Sequence, residues 1–327
     1  MKRFIIFILA AALLFSSCSA DETKNETAYK KIEKINHYTV EPDKASAMDD
    51  NDQKYFHKLV DAMLDYKDSV KLNSYDKKND LYLDALKQSP YYFLVKDYTL
   101  SDRYLKITYN YTKEEHKNII KYMDEQFLDI INCNAQKNDN SLDTILKIYG
   151  CVAKGFEYDH SRTENYQIDM PIFTYPSDEV YNTFQTKKGV CFSFAYILNY
   201  SLLQAGIESF CVYGNCHAHN QAHMWNIFKY DGEYFNCDVV WDRSEDNGYA
   251  KLYHFGKTDA ERTSDTLTSI NFLSTHYPPY AYIKCTDKRF SIFRGIQRFS
   301  YIGKHKFFVE DFENNEKIFD TETFEIK

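Results

Sequence analysis

Three residues of this 327-residue chain have the types and the order that thiol chemistry needs: Cys191, His223 and Asp238. A thiolate attacks a carbonyl carbon, an imidazole carries protons to the leaving group and from the incoming one, and a carboxylate fixes the imidazole tautomer. A cysteine, a histidine and an aspartate occur in almost any chain of this length, and cysteine is among the most buried residue types, so types alone decide nothing. The elements that position them do.

Lys187, Lys188 and Gly189 lead into Cys191, and behind it Phe194, Ala195, Ile197, Leu198, Leu202 and Leu203 recur at helical spacing until Gly206 ends the run. This spacing predicts Cys191 in the first turn of a buried helix, where free N–H groups and the helix dipole favour an anion. Farther on, Asp231-Gly232 predicts a two-residue hairpin turn. With Tyr230 opposite Glu233, the register sets Trp225 against Asp238 and His223 against Val240, so His223, Trp225 and Asp238 share one face. His223 and Asp238 become diagonal neighbours within bridging reach. Met224, Phe228, Phe235 and Val239 take the opposite, core face, and Cys237 points away from His223, a poor alternative nucleophile.

Gly189-Val190-Cys191 and its aromatic-rich helix, His223-Met224-Trp225-Asn226, Asp231-Gly232-Glu233-Tyr234 and Asp238-Val239-Val240-Trp241-Asp242 together resemble the transglutaminase-like superfamily. The core of that superfamily is similar to that of the papain-like cysteine proteases. Tyr158-Asp159 resembles the family's approach to the core; Met224 stands where the family usually has a small residue. The resemblance covers the middle of the chain and implies an α+β fold. Its papain/transglutaminase-like core is a helix carrying the cysteine packed on an antiparallel sheet carrying the histidine and aspartate, with an N-terminal α/β extension and a C-terminal β segment. It implies acyl transfer through a thioester on a peptide or glutamine amide, with Cys191 as nucleophile, His223 as proton carrier and Asp238 as orienter. The Cys191 backbone N–H is an expected oxyanion donor. Gln185, at the papain-like glutamine spacing six residues before Cys191, is a second candidate, and Trp225 and Tyr158 are candidate walls of the site. Hydrolysis is expected over cross-linking; the alternatives are a protein-glutamine gamma-glutamyltransferase and an inactive transglutaminase-like binding module of the cell envelope. No cofactor is implied and no calcium loop is recognisable.

The chain opens MKRFIIFILAAALLFSSCSA: a basic start, an apolar run from Phe4 to Phe15, and small residues before Cys18. This pattern predicts a signal peptide at residues 1–17, too short to span as a stable helix, with lipid attachment at Cys18 in a bacterial lipobox-like setting. Removal of residues 1–17 takes away Lys2 and Arg3 and moves the formal charge from −8 to −10. That acidity argues against nucleic acid and against adsorption to anionic lipid. The expected location is therefore extracytoplasmic, with the membrane reached through the lipid and a protein or peptide substrate met at the cell surface.

Residues 18–36 read as a solvated tether, 37–135 as the N-terminal α/β extension, 136–260 as the transglutaminase-like core and 261–327 as the C-terminal β-rich segment. Twenty-nine Tyr and 24 Phe against 10 Gly and 6 Pro indicate a packed globule and not low-complexity sequence. Helices are expected over Asp49–Tyr66 and Leu81–Leu86, from the Thr112/Glu115 capping box through Ile131, and from an Asn140 or Ser141 cap to Gly155. Strands are expected at Tyr91–Val95, Tyr104–Tyr111 and Ile207–Tyr213, then in a meander at Gln297–Ile302, Lys306–Glu310 and Glu316–Ile326. Residues 160–188 read as an irregular cleft wall. Cys211, Cys216, His217, His219 and His223 fit no standard zinc spacing and read as a site rim without metal, and a Cys211–Cys216 disulfide could close a small loop there. The pairing of Cys133, Cys151, Cys237 and Cys285 is not readable from sequence.

Overall fold

A computed structural model describes residues 31–71, 78–101, 103–163, 178–216, 221–243, 249–264, 267–271 and 283–327. The expectations for the signal segment and Cys18, for residues 164–177 of the cleft wall, and for His217 and His219 lie outside those residues.

The N-terminal part contains α1 (Pro42–Ala47), α2 (Asp50–Leu64), β1 (Ser69–Lys71), α3 (Lys78–Lys87), β2 (Val95–Ser101), β3 (Tyr104–Tyr109) and α4 (Lys113–Ile131). The strands form an antiparallel sheet in the order β1-β3-β2. α2 starts at a reciprocal cap between Asp49 and Asp52, and α4 at the expected one between Thr112 and Glu115. Along α4, Ile119, Met123, Phe127 and Ile130 form one buried stripe. The strand expected at Tyr91–Val95 is a tight helical turn over Tyr92–Leu94, and β2 begins only at Val95. The reason is burial: Tyr91, Phe93 and Leu94 are all inside, and a turn closed by the Leu94 N–H on the Tyr91 carbonyl buries adjacent side chains that a strand would split between faces.

The middle of the chain contains α5 (Ser141–Gly155), β4 (Glu157–Tyr158), α6 (His160–Thr163), α7 (Glu179–Thr186), β5 (Lys188–Gly189), α8 (Cys191–Gln204), β6 (Ser209–Cys216), β7 (Gln221–Tyr230), β8 (Glu233–Cys237), α9 (Asp259–Ser264) and β9 (Leu267–Asn271). The main sheet has the order β8-β7-β6-β9, all pairs antiparallel, and α8 packs on β6 and β7. The fold is thus α+β, with the cysteine-bearing helix against the sheet that carries the histidine. Residues 179–186 are helical, not irregular. Val180, Thr183 and Phe184 bury one face of α7 against α8, a pattern of two apolar residues and a threonine that was too short to stand out. Asn226 fastens α8 to β7: its amide nitrogen donates to the Ala195 carbonyl at 3.0 Å from full burial.

The C-terminal strands β10 (Ile296–Gly303), β11 (Lys306–Asp311), β12 (Glu316–Asp320) and β13 (Glu325–Ile326) form a separate antiparallel meander. It is hydrogen-bonded to the rest through Ala250, whose carbonyl accepts from Phe299 at 3.0 Å, and it packs on α5. Gly150 makes that packing possible, since a Cβ there would stand 3.0 Å from the Phe299 ring. One hydrophobic core runs through all three parts, from Ile35 through Phe127, Tyr149, Phe194 and Phe228 to Phe319.

Candidate active site

Cys191 is the first residue of α8, and its setting is built by a tight backbone junction. β4 and β5 pair in parallel, Tyr158 beside Gly189, and the Asp159 N–H donates to the Gly189 carbonyl at 2.8 Å. Gly189 is required by crowding: a Cβ would lie 2.5 Å from Ser193 Oγ and 2.6 Å from Thr183 Oγ1. Ser193 closes the helix start, its hydroxyl accepting from the Val190 N–H at 3.0 Å and donating to the Val190 carbonyl at 2.9 Å. The half-buried Cys191 thiol therefore sits at an N-terminus fixed by Gly189, Ser193 and the β4–β5 pair. Tyr158 reaches the same point, its hydroxyl accepting from the Cys191 backbone N–H.

Asp231 and Gly232 both have positive φ, 50° and 80°, the conformation of a two-residue hairpin turn. From Tyr230 opposite Glu233 the ladder runs to Asn226 opposite Cys237, the expected register. β8 stops there because the side chain of Asp238 takes over the next amides: its Oδ1 accepts from the N–H groups of Val240 and Trp241, each at 3.2 Å. That turn aims Oδ2 back at β7, where His223 Nε2 donates to it at 2.6 Å. His223 also makes a side-chain hydrogen bond with Cys191, and with Nε2 taken by Asp238, Nδ1 is the nitrogen left for the thiol. The structure thus brings Cys191, His223 and Asp238 into one chain of contacts.

Both members of the His223–Asp238 pair are buried. Burial opposes the imidazolium, but the Asp238 charge, the Asp238 hydrogen bond and the Cys191 thiol outweigh it and raise His223 above its ordinary range. Burial likewise opposes the carboxylate, and the charges of His223 and Arg262 hold Asp238 well below the usual carboxylate range. The pair is therefore a carboxylate facing an imidazolium.

Sequence reasoning missed two residues here. Arg262, on α9 and 2% exposed, donates from Nη2 to Asp238 Oδ2 at 3.0 Å and lies over the rings of Trp225 and Trp241, 4.5 and 5.1 Å from their centroids. No local signal marks it, because α9 reaches Asp238 only through the path that residues 254–257 take beside the end of β8. There Asn236 and Lys257 exchange backbone hydrogen bonds and the Asp238 N–H meets the His254 carbonyl. Trp241 stacks on the His223 ring at 4.9 Å and 13°. Its signal was its place three residues after Asp238, inside the motif already quoted.

Two expected site residues stand elsewhere. Trp225 is 1% exposed, its indole N–H donating to Asn236 at 2.9 Å, so it backs the His223 ring from the interior and cannot wall an open cleft; the half-buried Trp241 is the nearer ring. Gln185 is exposed on α7, and its amide donates to the Tyr181 hydroxyl at 2.8 Å instead of to anything at Cys191. The spacing before the cysteine is occupied by a helix that turns the glutamine outward. Cys237 lies in the main core on the face opposite His223, and burial pushes its thiol well up. Cys211 is buried and free, and the side chain of Cys216, its expected disulfide partner, lies outside what the structure describes. Asp242 is a brace: it accepts from the Tyr149 hydroxyl at 2.7 Å and from the His254 N–H at 2.9 Å, tying α5 to the turn that carries Asp238.

Residues 126–260 match the family model described as a transglutaminase-like domain. No curated protein matches the chain. Among solved structures, similarity is found to a TGase at 13% identity, covering 55% of this chain and 52% of that one with a TM-score of 0.32. A candidate cysteine protease from Cytophaga hutchinsonii is similar at 16% identity, covering 50% and 58% with a TM-score of 0.27. A candidate protease from Parabacteroides distasonis follows at 15% identity, 45% and 33%, with a TM-score of 0.24. The chain spans about half the length of the first two of these structures.

Proposed function

We propose that the transglutaminase-like domain at residues 126–260 makes this protein a cysteine-dependent acyl-transfer enzyme that opens peptide or glutamine amides through a thioester, passing the acyl group to water in preference to an amine. The observation that supports it is the run of contacts from the Cys191 thiol through His223 to Asp238 at the start of a helix. In this reading the Cys191 sulfur attacks the amide carbonyl carbon, and the His223 imidazolium gives its proton to the leaving nitrogen as the C–N bond breaks. His223 then takes a proton from water, which attacks the thioester carbon; the C–S bond breaks, the acid leaves, and the Cys191 thiolate is restored beside the His223 imidazolium. Asp238 keeps the ring oriented and its cation stabilised throughout. The Cys191 backbone N–H and the Tyr158 hydroxyl supply the oxyanion donors. Burial first, and then the neighbouring Cys191 and Asp238, raise Tyr158 above the ordinary phenol range, so it stays an O–H donor.

The preference for water follows from the setting read in residues 1–18. A lipid-anchored, extracytoplasmic protein meets water at far higher concentration than any primary amine, and cross-linking needs a site that shields the thioester while admitting a lysine. The test incubates the purified chain with a peptide library, with and without a labelled amine, beside Cys191→Ala. Free acid or cleaved peptide should appear before label; label entering first replaces hydrolase with transferase, and neither product points to a binding module. Mass spectrometry of the mature N-terminus should find diacylglycerol on Cys18, and an unmodified start elsewhere removes the anchor from the proposal.

A further inference from the structure

We propose that Cys133 and Cys151 form a dithiol site, apart from Cys191, which a small-molecule disulfide closes into an intrachain bond. Cys133 lies just beyond α4, its N–H on the Ile130 carbonyl at 3.1 Å, and Cys151 lies on α5, which packs against α4. The two thiols interact with each other as hydrogen-bond donor and acceptor, and both are half-buried and free. The Asn134 amide nitrogen approaches the Cys133 sulfur at 3.7 Å, and Lys154 and Lys147 place positive charge near it. The other described thiols differ: Cys211, Cys237 and Cys285 are buried, and Cys191 is taken by His223.

The surroundings of Cys133 mark it as the attacking sulfur: the Asn134 amide approaches it at 3.7 Å. The hydrogen bond between the two thiols first, then Lys154 and Lys147, favour its thiolate against the effect of burial. The Cys133 thiolate attacks one sulfur of the incoming disulfide, RSSR; the S–S bond breaks, RS⁻ leaves, and a mixed disulfide forms on Cys133. Cys151 loses its proton to solvent and attacks the Cys133 sulfur, releasing the second RS⁻. Two protein thiols are oxidised and one disulfide is reduced to two thiols. The bond ties α4 to α5, and both helices pack against α8, so it braces the floor under the Cys191 helix.

The experiment exposes the full-length protein to glutathione disulfide under native conditions, blocks remaining thiols with N-ethylmaleimide, and maps the peptides. The expected result is a Cys133–Cys151 cross-linked peptide, with neither cysteine carrying N-ethylmaleimide or glutathione, and a melting temperature several degrees above that of the reduced protein. Cys151→Ser should instead hold one glutathione on Cys133. Stable glutathione adducts on both cysteines without a cross-link, or a bond joining other cysteines, would overturn the proposal. So would a cross-link that appears only after the protein is unfolded.

Discussion

Arg262 and His223 meet on one atom: both donate to Oδ2 of Asp238, at 3.0 and 2.6 Å, while Oδ1 of the same carboxylate is held by two backbone amides. All hydrogen-bonding partners of the carboxylate stabilise its ionised form, and two of them are cations. Arg262 is therefore a positioning residue, acting on the imidazole through Asp238. Arg262→Met should lower kcat/KM about 10-fold or more and move the acid limb of the pH profile to higher pH, since a buried charge loses a partner worth ~3 kcal/mol or more. Arg262→Lys should return part of both. A melting temperature that falls while the acid limb stays in place would reduce Arg262 to a structural brace.

The His223–Asp238 pair also predicts how stability depends on pH. His223 is raised in the fold, from about 6.5 when unfolded to about 10. Its contribution is fully present below the unfolded value and is lost as pH rises through about 10. Asp238 is depressed in the fold. Its contribution is present above about 3.9 and fades as pH falls toward its folded value. Melting temperatures of wild type and His223→Gln should therefore differ most between about pH 4 and 6.5 and converge at higher pH. A gap that widens on the alkaline side contradicts the assignment of charge to this pair.

How much of this was legible in the sequence depends on the reach of each signal. Asp231-Gly232 fixed a turn, the turn fixed a register, and counting from it brought His223 and Asp238 together, because alternation along paired strands is a local rule. The same reasoning found the α8 start and narrowed the next cap to Asn140 or Ser141; it is Asn140, whose side chain accepts from the Asp143 N–H at 2.8 Å. It could not find Arg262, because a residue 24 positions beyond its partner is placed by a chain path with no periodicity of its own. It misread Gln185 because equal spacing before a cysteine says nothing about which way a helix turns the side chain. Trp225 was put on the correct face but treated as open, since one strand's pattern does not show that Phe210, Val212 and Cys285 cover that face.

Gly189 offers a test of how tightly the Cys191 junction is set. An alanine there meets the hydroxyls of Ser193 and Thr183 at 2.5 and 2.6 Å, and both side chains are buried. Gly189→Ala should cost ~1–3 kcal/mol of stability through overpacking. It should cost more in activity than in stability, because relief requires moving the backbone that carries Cys191. Thr183→Ala in the same chain should recover part of the melting temperature. An unchanged melting temperature for Gly189→Ala alone would show that the junction yields easily.

Tyr158 can be separated from the other site residues by what it loses on substitution. Its hydroxyl accepts from the Cys191 N–H, so phenol and amide lie together where a carbonyl oxygen attacked by the Cys191 sulfur would develop charge. If the hydroxyl turns its proton to that oxygen in the transition state, Tyr158→Phe removes a donor used there and not in substrate binding. It should lower kcat by roughly 100-fold, as loss of an oxyanion donor does elsewhere, with KM little changed. The ring would remain in its place between His160 and Phe194, so the melting temperature should move little and Cys191 should still react with iodoacetamide. A fall in iodoacetamide labelling equal to the fall in kcat would mean that Tyr158 acts on the thiol itself, and a rise in KM alone would make it a substrate contact. Only the loss of kcat with labelling preserved places its hydroxyl in the oxyanion site.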